Sequence, residues 1–152
     1  MTLPSTDLPH VDEHSIEIGA NAEAAWDAVL TVVEGSFAPA AAARGARLLG
    51  CADLVASGPR PLAAGSSFPG FHVESAAPPH ELALRGRHRF SDYALTFRLE
   101  GEGSRTTVRA ETRATFPGLK GRVYRALVIG TGGHVVITRR LLNAIRRRAE
   151  RG

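Results

Sequence analysis

Three consecutive segments of this chain alternate apolar and polar residues with period two, and a long helical stretch bearing an apolar stripe follows them. Alternate side chains of a strand point to opposite faces. In residues 81–90 this puts Leu82, Leu84, His88 and Phe90 on one face and Arg85, Arg87 and Arg89 on the other. The same parity turns Tyr93, Leu95, Phe97 and Leu99 inward from 93–100, and Val108, Ala110, Thr112, Ala114 and Phe116 inward from 107–116. Arg98, Arg109, Glu111 and Arg113 fall on the opposite, wet face, where cross-strand carboxylates offset the arginines. Turns at Pro78-Pro79, Ser91-Asp92 and 101–104 are short enough for up-and-down antiparallel pairing. A sheet of this kind must cover its apolar face.

The C-terminal stretch supplies the cover. From Leu119 to about Glu150, residues Val123, Leu127, Gly130, His134, Ile137, Thr138, Leu141 and Ile145 recur at helical spacing, with Arg125, Arg139, Arg146 and Arg147 off the stripe. Gly130, Gly132 and Gly133 interrupt it at a cost of about 1 kcal/mol each relative to alanine, which marks a kink or a close approach to the backbone. Upstream, Phe71, Val73 and Ser75 alternate with His72 and Glu74 as a further strand, with His72 and Glu74 expected as a surface pair. Residues 15–18 read as a short strand, Asn21 as the N-cap of a helix carrying Trp26, Val29, Leu30 and Val33, and 37–44 as a second short helix. Residues 47–67, rich in Gly and Pro, show no clear period.

Residues 1–10 read as a flexible lead-in and 11–152 as a single domain, a length sufficient for one substantial core. The net charge of +4 raises the question of nucleic acid, but the excess is nearly all arginine in an alanine-rich chain with Lys120 as its one lysine. That pattern follows from base composition, and no nucleic-acid partner is expected. No apolar run approaches a membrane span, so no integral membrane association is expected. The N-terminus has neither the basic start nor the apolar core of a signal peptide, and a cytoplasmic location is the expectation. Cys51, the single cysteine, reads as a small buried hydrophobe, and neither a metal nor a cofactor is expected. GxSxG, P-loop, HExxH and strand-bound GxGxxG signatures are missing, and Gly130-Thr131-Gly132-Gly133 lies inside a helical pattern rather than at a phosphate loop.

The order strand, two short helices, antiparallel strands, long helix resembles the START-like, or SRPBCC, superfamily of polyketide cyclase/dehydrase and lipid-transport-like proteins. The resemblance is carried by SIEIGANAEAAWDAV at the start, by FPGFHVESAAPPHELALRGRHRFSDYALTFRLE and TTVRAETRATF in the sheet, and by FPGLKGRVYRALVIGTGGHVVITRRLLNAIRRRAE at the end. It implies an α+β helix-grip fold, in which a curved antiparallel sheet wraps a long C-terminal helix and encloses a cavity. The superfamily holds enzymes, receptors and carriers alike, so the fold does not name the occupant.

Parity and helical phase then nominate the walls of such a cavity. Phe71, Leu84, Phe90, Leu95, Phe97 and Leu127 are the apolar candidates, and His88, Tyr93, Thr112, Thr131, His134 and Thr138 the polar ones. This lining suits a small hydrophobic or aromatic molecule carrying an oxygen or two, bound by a carrier or sensor. A second reading makes the protein a polyketide cyclase/dehydratase-like enzyme, with His134 or His88 moving protons. The alternative for both histidines is a core residue satisfied by a hydrogen bond, and a third reading is a protein-interaction module with a filled core. Whether the protein is an enzyme stays open at this point, as does the choice between monomer and homodimer.

Overall fold

The alternating segments form the centre of one antiparallel sheet. The structure, a computed structural model, describes residues 5–37 and 40–151. Strands β1 (His10–Ile18), β2 (Ser67–Phe68), β3 (Phe71–Ala77), β4 (Glu81–His88), β5 (Ser91–Glu102) and β6 (Arg105–Thr115) pair in the order β1-β6-β5-β4-β3-β2. Every pairing is antiparallel, and the sheet curves over its apolar face. Helices α1 (Ala22–Phe37) and α2 (Ala40–Leu49) connect β1 to the rest, and α3 (Gly118–Val128) and α4 (Gly133–Arg151) complete the chain. This is an α+β helix-grip fold.

The core lies where α1 and α4 press on the sheet. Leu82, Leu84, Phe97, Val108, Val29 and Ile145 are all fully buried there. Full burial of each large aliphatic or aromatic side chain contributes about 1.5–3 kcal/mol. The Asn21 side-chain oxygen accepts a hydrogen bond from the Ala24 amide at 2.9 Å, as an N-cap should. At the far end of α4, Glu150 Oε2 accepts from the Gly19 amide at 2.8 Å, tying the helix to the turn after β1.

Several expectations change in detail. The stretch 119–150 is two helices rather than one, because a β-carbon at Gly130 would lie 2.6 Å from the Ala126 carbonyl oxygen and Gly132 takes φ of +78°. The helix after β1 runs sixteen residues and is not short, while the second begins at Ala40 rather than 37. Residues 38–39 of that expected helix lie outside the described residues. The first strand opens at His10, five residues earlier than expected. Of the expected lead-in, residues 1–4 lie outside the described residues, but Leu8 is 1% exposed and Arg113 donates to the Thr6 and Leu8 carbonyls at 3.3 and 2.9 Å. The apolar Leu8 finds cover, so this part is packed.

The outer face of the sheet carries a charge network rather than a plain solvated row. Arg85, expected outward in solvent, is 2% exposed and pairs with Asp92 at 3.1 Å. It sits beside His72 across the β3–β4 ladder, and His72 is engaged by Asp53 from the 50–66 segment at 2.8 Å. Glu111 is the hub on the other side, accepting from Arg98 at 3.0 Å and His10 at 3.0 Å, with Arg113 at 3.3 Å. Burial pushes the Glu111 carboxyl up, but the hydrogen bonds from Arg98, His10 and Arg113 outweigh it and hold the group at about 2 instead of 4.5. A carboxyl depressed in the folded state contributes stability that is present above its unfolded value and lost as pH falls through the folded one. Urea denaturation midpoints should therefore drop as pH falls from 4.5 toward 2, and Glu111→Gln should lower the neutral-pH midpoint while flattening that acid limb.

Candidate functional site

Where α3 diverges from α4, the inner face of the sheet is not filled. A cavity of about 500 Å³ opens there, bounded by β4, β5 and β6, by α2, and by α3 and the start of α4. Its apolar wall includes Phe37, Phe71, Leu95, Ala114, Phe116 and Leu141. Of the nominated residues, Phe71, His88, Tyr93, Leu95, Thr112, His134 and Thr138 border it. The interior is therefore not filled with side chains.

Five nominated residues lie elsewhere, for three physical reasons. Leu84 and Phe97 have the expected inward parity, yet they are fully buried beneath α1 and α4 in the closed half of the core. Phe90 follows the end of β4 and stacks behind the cavity wall on Tyr124, with ring centroids 5.6 Å apart. Leu127 and Thr131 belong to the helix phase before the break, which turns Leu127 out to 63% exposure and leaves the Thr131 hydroxyl bonded to the Leu127 carbonyl.

One end of the cavity is aromatic. The His88 ring meets Tyr124 edge-on at 4.8 Å and Tyr93 at 5.3 Å, and Phe71 meets Tyr93 at 5.2 Å. Burial keeps His88 below its ordinary 6.5, and its Nδ1 accepts from the Phe90 amide at 3.1 Å. The neutral ring thus carries its proton on Nε2. Tyr93 donates to the Gly70 carbonyl at 2.6 Å, and its hydroxyl, pushed strongly up by burial, is held as a neutral latch. The latch depends on Gly86, directly across the ladder, where a β-carbon would collide with the Tyr93 ring and the Gly70 carbonyl. Cys51 lies 3.9 Å from the Tyr93 hydroxyl, and burial raises its thiol pKa, so it borders the cavity as a neutral group.

The other end is polar. His134 Nε2 is 3.2 Å from Asp12 Oδ1, and the second oxygen of Asp12 is 3.2 Å from His14 Nε2. Thr138 donates to the His134 carbonyl at 2.9 Å. Asp12 pairs across the ladder with Thr112, whose buried hydroxyl has no hydrogen-bond partner among the described residues. His88 and Asp12 are three strands apart in the sheet, about 14 Å at the usual spacing. The two histidines therefore share a cavity without forming a pair. Among the described residues, no group of three or more His, Cys, Asp or Glu side chains is arranged to hold a metal ion.

Sequence reasoning missed Asp12, His14, Tyr124 and Cys51. Asp12 and His14 belong to the early part of β1, where alternation with Val11 and Glu13 carries little hydrophobic contrast. Tyr124 lies off the nominated stripe because α3 has its own phase: Gly121, Tyr124 and Val128 form its inward side.

Comparison with solved structures places this geometry among helix-grip proteins. The Zhui aromatase/cyclase from a Streptomyces species matches with a TM-score of 0.58 and 16% identity over 95% of this chain and 94% of that one. Truncated norcoclaurine synthase from Thalictrum flavum matches with 0.56 and 13% identity over 93% and 95%. The di-domain ARO/CYC BexL matches with 0.57 and 13% identity over 91% of this chain and 49% of its own. The likeness is one of fold, the helix-grip fold. No family model matches the sequence, and no curated protein matches it.

Placing a methyl group under the latch tests its role. Gly86→Ala should cost about 1–3 kcal/mol through overpacking, read as a lowered urea midpoint. Tyr93→Phe, which removes only the hydroxyl, should cost about 1 kcal/mol.

Proposed function

We propose that the protein is a carrier or sensor that binds a small hydrophobic or aromatic molecule between the sheet and the C-terminal helices. The observation that carries this reading is the cavity of about 500 Å³, whose wall is mainly apolar and includes Thr112 with its unsatisfied buried hydroxyl. An orphaned buried hydroxyl costs about 1–3 kcal/mol, which a ligand oxygen would return. Of the other polar groups, Tyr93, Thr138 and His134 already have partners within the fold. The aromatic end, with Phe71, His88, Tyr93 and Tyr124, suits a planar ring by edge-on and stacked contact. Aromatase/cyclases and norcoclaurine synthase among the similar structures accord with an aromatic ligand. No helix among the described residues is long and apolar enough to cross a membrane, which accords with a cytoplasmic carrier.

The contact between His134 and Asp12 favours a second reading, in which the imidazole moves a proton on a bound polyketide-like substrate as cyclases and dehydratases do. An aspartate on one ring nitrogen orients the ring.

Binding of 2-naphthol and of naphthalene, followed by calorimetry, tests the carrier reading. 2-Naphthol should bind more tightly, and Thr112→Val should weaken it by about fivefold while leaving naphthalene unchanged. Failure of both compounds to bind sinks the cavity reading, and equal loss of both in the variant sinks the role of the hydroxyl. Under the second reading, His134→Ala should keep 2-naphthol affinity and abolish turnover of a substrate found by product analysis. Unaltered turnover in that variant rules it out.

A further inference from the structure

The outer side of α3 is apolar where a helix on a soluble protein is ordinarily polar. Gly121, Tyr124 and Val128 face the sheet, with Gly121 so close that a β-carbon would lie 2.6 Å from the Phe116 carbonyl carbon. On the outward side, Leu119, Val123 and Leu127 recur every four residues and are 77%, 54% and 63% exposed. Val136 and Ile137, at the start of α4, extend this exposure, and Ile137 also borders the cavity. The other exposed large apolar residues among those described are Leu48, Leu54 and Val55, in a segment that borders the same cavity through Leu49 and Cys51. Exposed apolar surface is thus confined to the two segments around the cavity.

Charge selects the occupant of this surface. At about 100° per residue, Lys120 and Arg122 fall on either side of the Leu119–Val123–Leu127 stripe, both exposed. From residue 117 to 149 the chain has no acidic residue, while Arg139 and Arg140, exposed in the first turns of α4, add positive charge. A second copy of the chain meeting this stripe about a two-fold axis would bring like charges together, which disfavours it. An apolar ridge flanked by cations is matched by an anionic lipid surface, where the ridge enters the acyl boundary and the cations meet headgroup phosphates.

We infer that α3 and the start of α4 dock on an anionic membrane surface and bring the cavity against it. The cavity would then exchange an apolar ligand with the bilayer rather than with water. Docking itself rests on the exposed ridge and not on any particular ligand.

Co-sedimentation with vesicles tests it, using phosphatidylcholine alone and phosphatidylcholine containing phosphatidylglycerol. The protein should pellet with the anionic vesicles only, and less at high salt. Leu119→Asp/Val123→Asp and, separately, Lys120→Gln/Arg122→Gln should each weaken partitioning by at least about tenfold. Far-UV circular dichroism and 2-naphthol affinity should match the wild type in both variants, since none of these residues borders the cavity. The inference is overturned if anionic vesicles pellet no more protein than neutral ones, or if both variants pellet like the wild type. Light scattering that shows a dimer dissociated by Leu119→Asp/Val123→Asp also overturns it, by assigning the ridge to a second copy.

Discussion

The cavity depends on the turn in the C-terminal helical run between Ile129 and Gly132. A continuous helix would carry one stripe along the whole sheet and close its apolar face. Instead, Gly132 takes a left-handed conformation and α4 restarts at Gly133 with a new phase. From there Leu141, Leu142 and Ile145 seal the half of the sheet shared with α1. α3 reaches the other half only through Gly121, Tyr124 and Val128, and the uncovered area between them becomes the cavity. Glycine supplies the turn without the penalty that a side chain would meet there.

The sheet's two faces answer different electrostatic demands. On the outside, arginines on neighbouring strands are balanced by Glu81, Asp92 and Glu111, so charge sits where water and partners solvate it. Arg85 is the exception, and its burial beside Asp92 shows that even the outer face is partly covered. On the inside, the polar groups are few, and Tyr93, Thr138 and His134 are bound within the fold. A cavity of this kind discriminates by shape and by a few hydrogen-bonding positions.

Much of this was legible in the sequence, and the failures share one cause. Strand parity put His88, Tyr93, Leu95 and Thr112 on the inner face because period two has no freedom of phase within a continuous ladder. Parity alone could not tell Leu84 and Phe97 from them, since which half of the inner face is covered is set by helices far away in the chain. Helical phase located His134 and Thr138, both beyond the break, but carried across it the same stripe misassigned Leu127 and Thr131 and passed over Tyr124. The glycines announced a kink without giving its angle. Asp12 and His14 were hidden because polar residues on an inward face mimic a solvated strand.

The link between Glu150 and the Gly19 amide has a mechanical consequence. It clamps α4 at its C-terminal end, close to the closed core, whereas the other end is held over the cavity by the side-chain contact between His134 and Asp12. A rod fixed at one end and tethered at the other yields at the tether. The Gly133 end of α4 is thus the less firmly fixed of the two.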